Sequence, residues 1–291
     1  MPSPDPSSPP VAIRASATVL MVRDGPAGLE VFMIQRHAGS DVHGGSYVFP
    51  GGKVDAADAA PALHARLDLP PETLRVRLHE PGLDATAAAA LHVAAVREAF
   101  EECRVLFADA DAGTRARALA APPAEAFDAL LARLDLRLAT AALRPFSRWI
   151  TPENSVSSPG KRFDTRFFVA ALPEGQNATH DNHEAVHSAW LRPRDALQRY
   201  WDGVIVLVPP QIMSLAQLSR APDVATLLAQ TDARAPHLVR PHVCQVDGVT
   251  TMAYPGDPLH AEATRVMPGP LRLFVRGRRF EPAEGFAGFC D

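Results

Sequence analysis

The 291 residues, 47% of them hydrophobic, are enough for one large domain with a sizeable core. There are 29 basic and 33 acidic side chains, a formal charge of −4, and no stretch concentrates the basic ones, which excludes a general nucleic-acid or anionic-membrane surface. Cys103, Cys244 and Cys290 are odd in number and form no CxxC pair, and no apolar run is long enough to span a bilayer; both facts point to a cytoplasmic protein.

In chain order, residues 1–10 are Pro/Ser-rich and lack a basic segment followed by an apolar one, so they read as a disordered tail rather than a signal peptide. Two β-prone runs, 12–23 and 29–36, flank Asp24-Gly25-Pro26-Ala27-Gly28 and predict a hairpin. A short extended piece, 46–49, enters Pro50-Gly51-Gly52, where the chain must turn tightly. Residues 58–85 show no clear periodicity. An alanine-rich pattern predicts a helix over 86–107, and apolar spacing at Phe127, Leu130, Leu131 and Leu134 predicts another over 122–138. Strands are expected at 148–151, 162–172 and 186–191, and helices at 193–200, 210–218 and 223–229. Short strands at 243–246, 250–254 and 271–276 complete the chain. Of the basic residues only Lys53 and Lys161 are lysines; this is read as a coding bias and given no mechanistic weight.

Chemistry concentrates in Arg97-Glu98-Ala99-Phe100-Glu101-Glu102. On a helix Glu98, Glu101 and Glu102 share one face, and Arg97 lies four residues before Glu101 and can pair with it. Like charges so crowded repel, and a hard divalent cation such as Mg²⁺ or Mn²⁺ removes that repulsion. Such a run alone is more often a solvated face. The upstream Gly51-Gly52 shifts the balance, since a bare backbone admits a phosphate closely and can turn a carbonyl toward a metal.

Together these pieces resemble the Nudix hydrolase signature, in which a Gly is followed after five residues by Glu and then, after seven more, by Arg-Glu, two residues and Glu-Glu. Gly52 fits the opening glycine, Asp58 stands where the first Glu belongs, and Arg97, Glu98, Ala99, Glu101, Glu102 and Val105 fit the second half. An uninterrupted signature would place its Arg at position 66, so 31 extra residues separate the halves. Such an excursion is tolerable because loop-closure entropy grows only logarithmically with length. Long interruptions are a feature of the coenzyme A diphosphatase branch. Further segments look like that branch: Val48-Phe49-Pro50-Gly51-Gly52, Trp149-Ile150-Thr151-Pro152, Arg162-Phe163-Asp164-Thr165-Arg166-Phe167-Phe168 and Tyr254-Pro255-Gly256-Asp257. Two departures stand out. Arg104 occupies the glycine that normally ends the helix, so the helix is expected to run on through Val105. In the preceding branch motif only Arg36 is kept, with His37 and Asp41 at its Ser and second Arg positions.

The resemblance implies an α/β/α sandwich with a mixed β-sheet. It spans 11–235, with 59–90 inserted inside the signature and covering or flanking the site, and 236–291 forms a β extension packed on the same domain. It also implies Mg²⁺ or Mn²⁺ held by Glu98, Glu101, Glu102 and the Gly51 carbonyl, with Glu184 as a further candidate. Arg97 orients the carboxylates, and Arg36, Gly52, Lys53 and Arg162 are candidates for substrate phosphates. Asp55 and Asp58 are assigned either to the glycine loop or to capping. The run His180, Asp181, His183, Glu184, His187 is read as a polar surface loop before a zinc site, and Cys103 as packing. The implied reaction is hydrolysis of a nucleoside diphosphate-linked compound, with CoA or acyl-CoA first, NADH, ADP-ribose or a dinucleotide next, and a non-catalytic ligand sensor as the alternative of another class. The expected partner is a small-molecule nucleotide, with no membrane or general nucleic-acid partner and room for a homodimer.

Overall fold

Residues 12–40, 43–122, 124–156, 158, 160–181, 185–277 and 279–290 are described by the computed structural model. The expected tail at 1–10 and the candidates Asp41, His183 and Glu184 lie outside them. The chain begins with the hairpin β1 (Ile13–Gly25) and β2 (Gly28–Arg36), then the short β3 (Tyr47–Val48) and β4 (Gly51–Lys53). Helices α1 (Pro61–His64) and α2 (Pro71–Leu78) precede the long α3 (Ala85–Cys103). Next come β5 (Ala108–Asp109), α4 (Ala112–Leu119), α5 (Phe127–Arg133) and β6 (Arg137–Leu138). Strands β7 (Arg144–Ile150), β8 (Arg162–Ala171) and β9 (Ala185–Leu191) lead to α6 (Pro193–Trp201), α7 (Pro209–Leu218) and α8 (Val224–Asp232). The chain closes with β10 (His237–Val239), β11 (His242–Val246), β12 (Val249–Ala253), β13 (Arg272–Arg276) and β14 (Arg279–Glu281).

The main sheet runs β10-β7-β8-β1-β2-β3, with β4 on β1 and β9 on β2. It is mixed: β1 pairs with β8 and β7 with β10 in parallel, whereas the other pairs are antiparallel. Side chains alternate across a strand, so Ala17, Val19 and Met21 of β1 join the core beneath α3, while Leu20 and Val22 join the core beneath α6 and α7. Burial on both faces explains why β1 reads as a nearly continuous apolar run. Helices on both sides make this the expected α/β/α sandwich. Strands β11–β14 form a separate antiparallel sheet whose Met252, Leu273 and Phe280 enter the second core. Among the described residues no helix is long and apolar enough to cross a membrane.

The stretch 58–85 departs from its aperiodic appearance. Each of α1 and α2 opens on a proline, which is pre-set for the first helical position, and Leu63, Leu67, Leu74 and Leu78 bury against α3. A balanced ionic cluster then ties this region to the sheet. Arg166 binds Glu80 at 2.6 Å and Asp164 at 3.0 Å, and Arg148 binds Glu80 at 2.8 Å and Asp164 at 2.7 Å. The helix predicted over 122–138 is shorter than expected, because Asp135 adopts a left-handed φ of 49° and the chain then leaves to pair β6 with β5.

Helix α3 starts on Asp84, whose side chain accepts from the Ala87 amide at 2.8 Å. Its end corrects the expectation. It does not run through Val105: Arg104 keeps the left-handed conformation of the missing glycine, at φ 55°, ψ 33°. The Arg104 and Val105 amides donate to Phe100 and Ala99 at 2.9 and 3.2 Å, closing the helix. The Arg104 guanidinium donates to the Leu119 carbonyl and lies 5.0 Å from the Phe100 ring centroid, contacts that offset the strain of a side chain in this geometry.

Candidate active site

The turn Pro50-Gly51-Gly52 places β4 against α3. The Gly51 amide donates to Glu102 Oε2 at 2.8 Å, and a Cβ on Gly52 would lie 2.2 Å from Glu98 Oε1. A side chain at 52 would displace the Glu98 carboxylate, which occupies the space a Cβ would take. Through this bare stretch Glu98 and Glu102 reach a cleft on the far side of the strand.

Arg97 organises the acidic face. Its Nε and Nη2 donate to the two oxygens of Asp58 at 2.9 and 3.0 Å, and its Nη1 donates to Glu98 at 2.9 Å and Glu101 at 3.0 Å. Asp58 is 1% exposed and also accepts from the Asp55 amide at 2.8 Å. It is thus a buried partner of Arg97 as well as a local cap, while Asp55 stands 3.8 Å from Arg97 at the cleft wall. Burial works against the Arg97 charge, but the Asp58 hydrogen bonds and the nearby Glu98 and Glu101 outweigh it and raise its pKa. Negative charge remains in excess.

Among the described residues no group of three His, Cys, Asp or Glu side chains is gathered as a ready-made metal cage. Arg97 spans Glu98 and Glu101 instead, and Glu102 turns to the Gly51 amide. The donor set nevertheless fits a hard cation. It is all oxygen, its charge exceeds what Arg97 neutralises, and the Gly52 backbone lies against Glu98 with no side chain between them.

The cleft has a volume of about 500 Å³. Arg14, Arg36, His43, Lys53 and Lys161 supply positive or titratable groups, and Phe49, Trp149, Phe163, Phe167 and Met252 supply apolar walls. Of the substrate candidates, Arg36, Gly52 and Lys53 line it. Arg162 does not: it donates to the Thr151 carbonyl at 3.2 Å and to Glu153 at 3.3 Å, an attachment at the strand edge. Among the described residues the region 59–90 supplies none of the lining, and it packs its leucines on α3. Arg14, Lys161, His43 and Trp149 were not singled out as site residues by sequence. The parallel β1–β8 pairing that brings Arg14 beside Phe163 is long-range and leaves no local pattern. A signal for Lys161 existed, in the rarity of lysine.

His43 sits in this lining with its Nε2 3.3 Å from Ser158 Oγ, and burial, followed by the charge of Arg36, lowers its pKa to about 4. The histidine-rich run makes separate contacts: His180 Nδ1 lies 2.8 Å from Ser188 Oγ, and His187 Nδ1 lies 3.0 Å from the Tyr47 hydroxyl. The Thr179 and Asp181 amides donate to the Cys103 and Glu102 carbonyls at 3.1 and 2.9 Å, which brings this segment to the end of α3. Cys103 is fully buried, and burial raises its pKa well above the usual thiol value, consistent with packing.

A mixed sheet between helices, with a glycine turn set against an Arg-Glu-x-x-Glu-Glu helix, defines the Nudix class. The chain belongs to that family: residues 11–218 match the model described as the NUDT19 Nudix domain. It is 30% identical over 234 residues to the acyl-coenzyme A diphosphatase NUDT19 of Gallus gallus, covering 67% of this chain and 62% of that protein. The Homo sapiens protein of the same name is 29% identical over 239 residues, covering 69% and 63%. The chain thus spans about three fifths of the length of these relatives. Among solved structures, a NUDIX hydrolase from Alicyclobacillus acidocaldarius is similar at 26% identity and a TM-score of 0.59, covering 78% of this chain and 98% of that one.

Proposed function

We propose that this protein hydrolyses a phosphoanhydride bond in a nucleoside diphosphate-linked compound, with CoA or acyl-CoA as the first substrate class. CoA would yield 3′,5′-ADP and phosphopantetheine. The observation that carries this reading is the approach of Glu98 and Glu102 over a side-chain-free glycine turn into a cleft that also holds Arg14, Arg36, Lys53 and Lys161. The names of the similar diphosphatases from Gallus gallus and Homo sapiens support the substrate class. The three free cysteines suit a reducing, cytoplasmic setting.

Glu98, Glu101, Glu102 and the Gly51 carbonyl would hold Mg²⁺ or Mn²⁺, and Glu184 remains a further candidate ligand. When bound, such an ion polarises phosphoryl oxygens, lowers the pKa of water and offsets the charge of the leaving phosphate. Asp58 and Arg97 hold the carboxylates in place through charge-assisted hydrogen bonds. Arg36 and Lys53 bind phosphate oxygens, while Trp149 and Phe163 offer apolar surface to the organic part of the substrate. The attacking water loses its proton to a carboxylate of the set as its oxygen bonds to phosphorus and the bridging P–O bond breaks.

A panel of CoA, acyl-CoA, NADH, ADP-ribose and diadenosine polyphosphates, each with Mg²⁺ or Mn²⁺, tests the proposal. CoA or an acyl-CoA should give the highest kcat/KM, with products split at the diphosphate. Preference for NADH, ADP-ribose or a dinucleotide would correct the substrate class. No turnover of any member would overturn the catalytic reading in favour of a ligand sensor.

A further inference from the structure

We propose that Arg14, Lys53 and Lys161 form an anion subsite for a phosphomonoester that the substrate carries in addition to the diphosphate it loses. This inference rests on the hydrolase reading and names a feature of its substrate. The placement follows from register. Strand β8 lies on one edge of β1, with Ile13 opposite Arg162 and Arg14 opposite Phe163, so Lys161 immediately precedes the first pair. Strand β4 lies on the other edge, with Lys53 opposite Ser16. Adjacent strands are about 4.8 Å apart, so the two lysines flank Arg14 within easy side-chain reach. All three residues line the cleft.

Arg14 and Lys53 differ from the arginines that carboxylates hold in this fold. Arg148, Arg166 and Arg272 are each held by carboxylates, whereas among the described residues neither Arg14 nor Lys53 has an acidic partner. Side-chain type points the same way. The whole sequence has two lysines, and both fall in this one cleft. An ammonium is a compact charge with three freely rotating donors and a guanidinium is a planar fork, and both can bind the three terminal oxygens of a phosphomonoester. Such a group carries about −1.5 to −2 charges at pH 7, enough to draw on all three cations. Glu98 and Glu102, which enter past Gly51 and Gly52, mark where the scissile diphosphate belongs. Lys53, the next residue along β4, joins the two anion sites.

The test is calorimetric binding of adenosine 3′,5′-bisphosphate and adenosine 5′-monophosphate to the full chain at fixed salt, with and without Mg²⁺. Wild type should prefer the bisphosphate by about tenfold or more, as one or two charge-assisted hydrogen bonds would give. In the Arg14→Met/Lys161→Met double variant that preference should shrink to within about twofold. Equal binding of both nucleotides by wild type, no measurable binding of either, or an undiminished preference in a folded double variant would each overturn the subsite. Because the wild-type ratio requires neither turnover nor a variant, equal binding overturns the subsite even if the hydrolysis panel is silent, and single Arg14→Met and Lys161→Met variants, each expected to reduce the preference, assign it if the double variant does not fold.

Discussion

Two ionic clusters flank the excursion that splits the signature, and they differ in balance. Behind the sheet, Arg148 and Arg166 meet Glu80 and Asp164, two cations with two carboxylates. Beside the cleft, Arg97 contacts Asp58, Glu98 and Glu101, with Asp55 close by. The first is complete in itself and holds α2 and the loop after it to β7 and β8. The second is left negative, and a folded chain tolerates that excess where an outside cation can share the face. Charge balance thus separates a structural cluster from a working one even though both use the same residue types.

The largest effect should come from removing charge on the unbalanced side. Glu98→Gln or Glu102→Gln should lower turnover about a hundredfold or more, since several kcal/mol of transition-state stabilisation depends on a correctly held ion. Melting temperature should hold or rise, because a like charge is lost; near-normal turnover in both variants would sink the assignment. On the balanced side the effect should fall on stability. Arg166→Met leaves Glu80 and Asp164, both largely buried, to share Arg148 and should cost about 3 kcal/mol in chemical denaturation, with partial recovery in Glu80→Met/Arg166→Met. A loss below about 1 kcal/mol would place this cluster with ordinary surface pairs.

His92 supplies the opposite limit, a titratable group on α3 with no charged partner in contact. It is fully buried, its Nδ1–H donates to the Ala88 carbonyl at 2.8 Å, and its Nε2 has no hydrogen-bond partner among the described residues. Burial lowers its pKa from 6.5 to about 4. The unfolded chain therefore takes up a proton as pH falls below 6.5, while the folded chain refuses it until about pH 4. Stability should decline across that window by at most about 1.4 kcal/mol per pH unit from this group, and should level off below it. His92→Phe should remove its share of the decline and leave that of His43 and His237, which titrate over the same window; an unchanged pH profile would show that other groups govern it.

The smallest effect is expected at Arg104. Arg104→Gly relieves about 1 kcal/mol of left-handed strain but loses the guanidinium contacts, so the net change should stay within about 1 kcal/mol. Arg104→Ala loses the contacts and keeps the strain, so it should be the less stable of the two by thermal melting. The reverse order would show that the contacts contribute little.

Much of the acidic side was legible in the sequence, because Glu98, Glu101 and Glu102 sit on one regular helix and helical spacing is local. The glycine turn was legible for the same reason, since a tight approach leaves its mark in residue type. The cationic side was not. Arg14 and Lys161 are brought to one cleft by the pairing of β1 with β8, strands distant in sequence, and Arg162, the more conspicuous neighbour, turns to Thr151 and Glu153. Helices α1 and α2 were hidden too, because they are short and draw their stability from leucines packed on α3 rather than from a repeating pattern. Arg104 misled because its side chain argues against a left-handed residue, and only the Leu119 carbonyl and the Phe100 ring explain why one is accepted.

The bond between Asp58 and Arg97 joins residues 39 positions apart and acts as a clasp at the neck of the excursion. Beyond the neck the exposed turns meet the carboxylates only through α3, and doubling the length of such a turn would add only about 0.6 kcal/mol of closure entropy. Evolution can therefore lengthen or redecorate those turns without retuning the chemistry. A protein engineer has the same freedom: the exposed tip around Gly82 is a natural place to graft a reporter or a second domain, provided the leucines facing α3 stay in place.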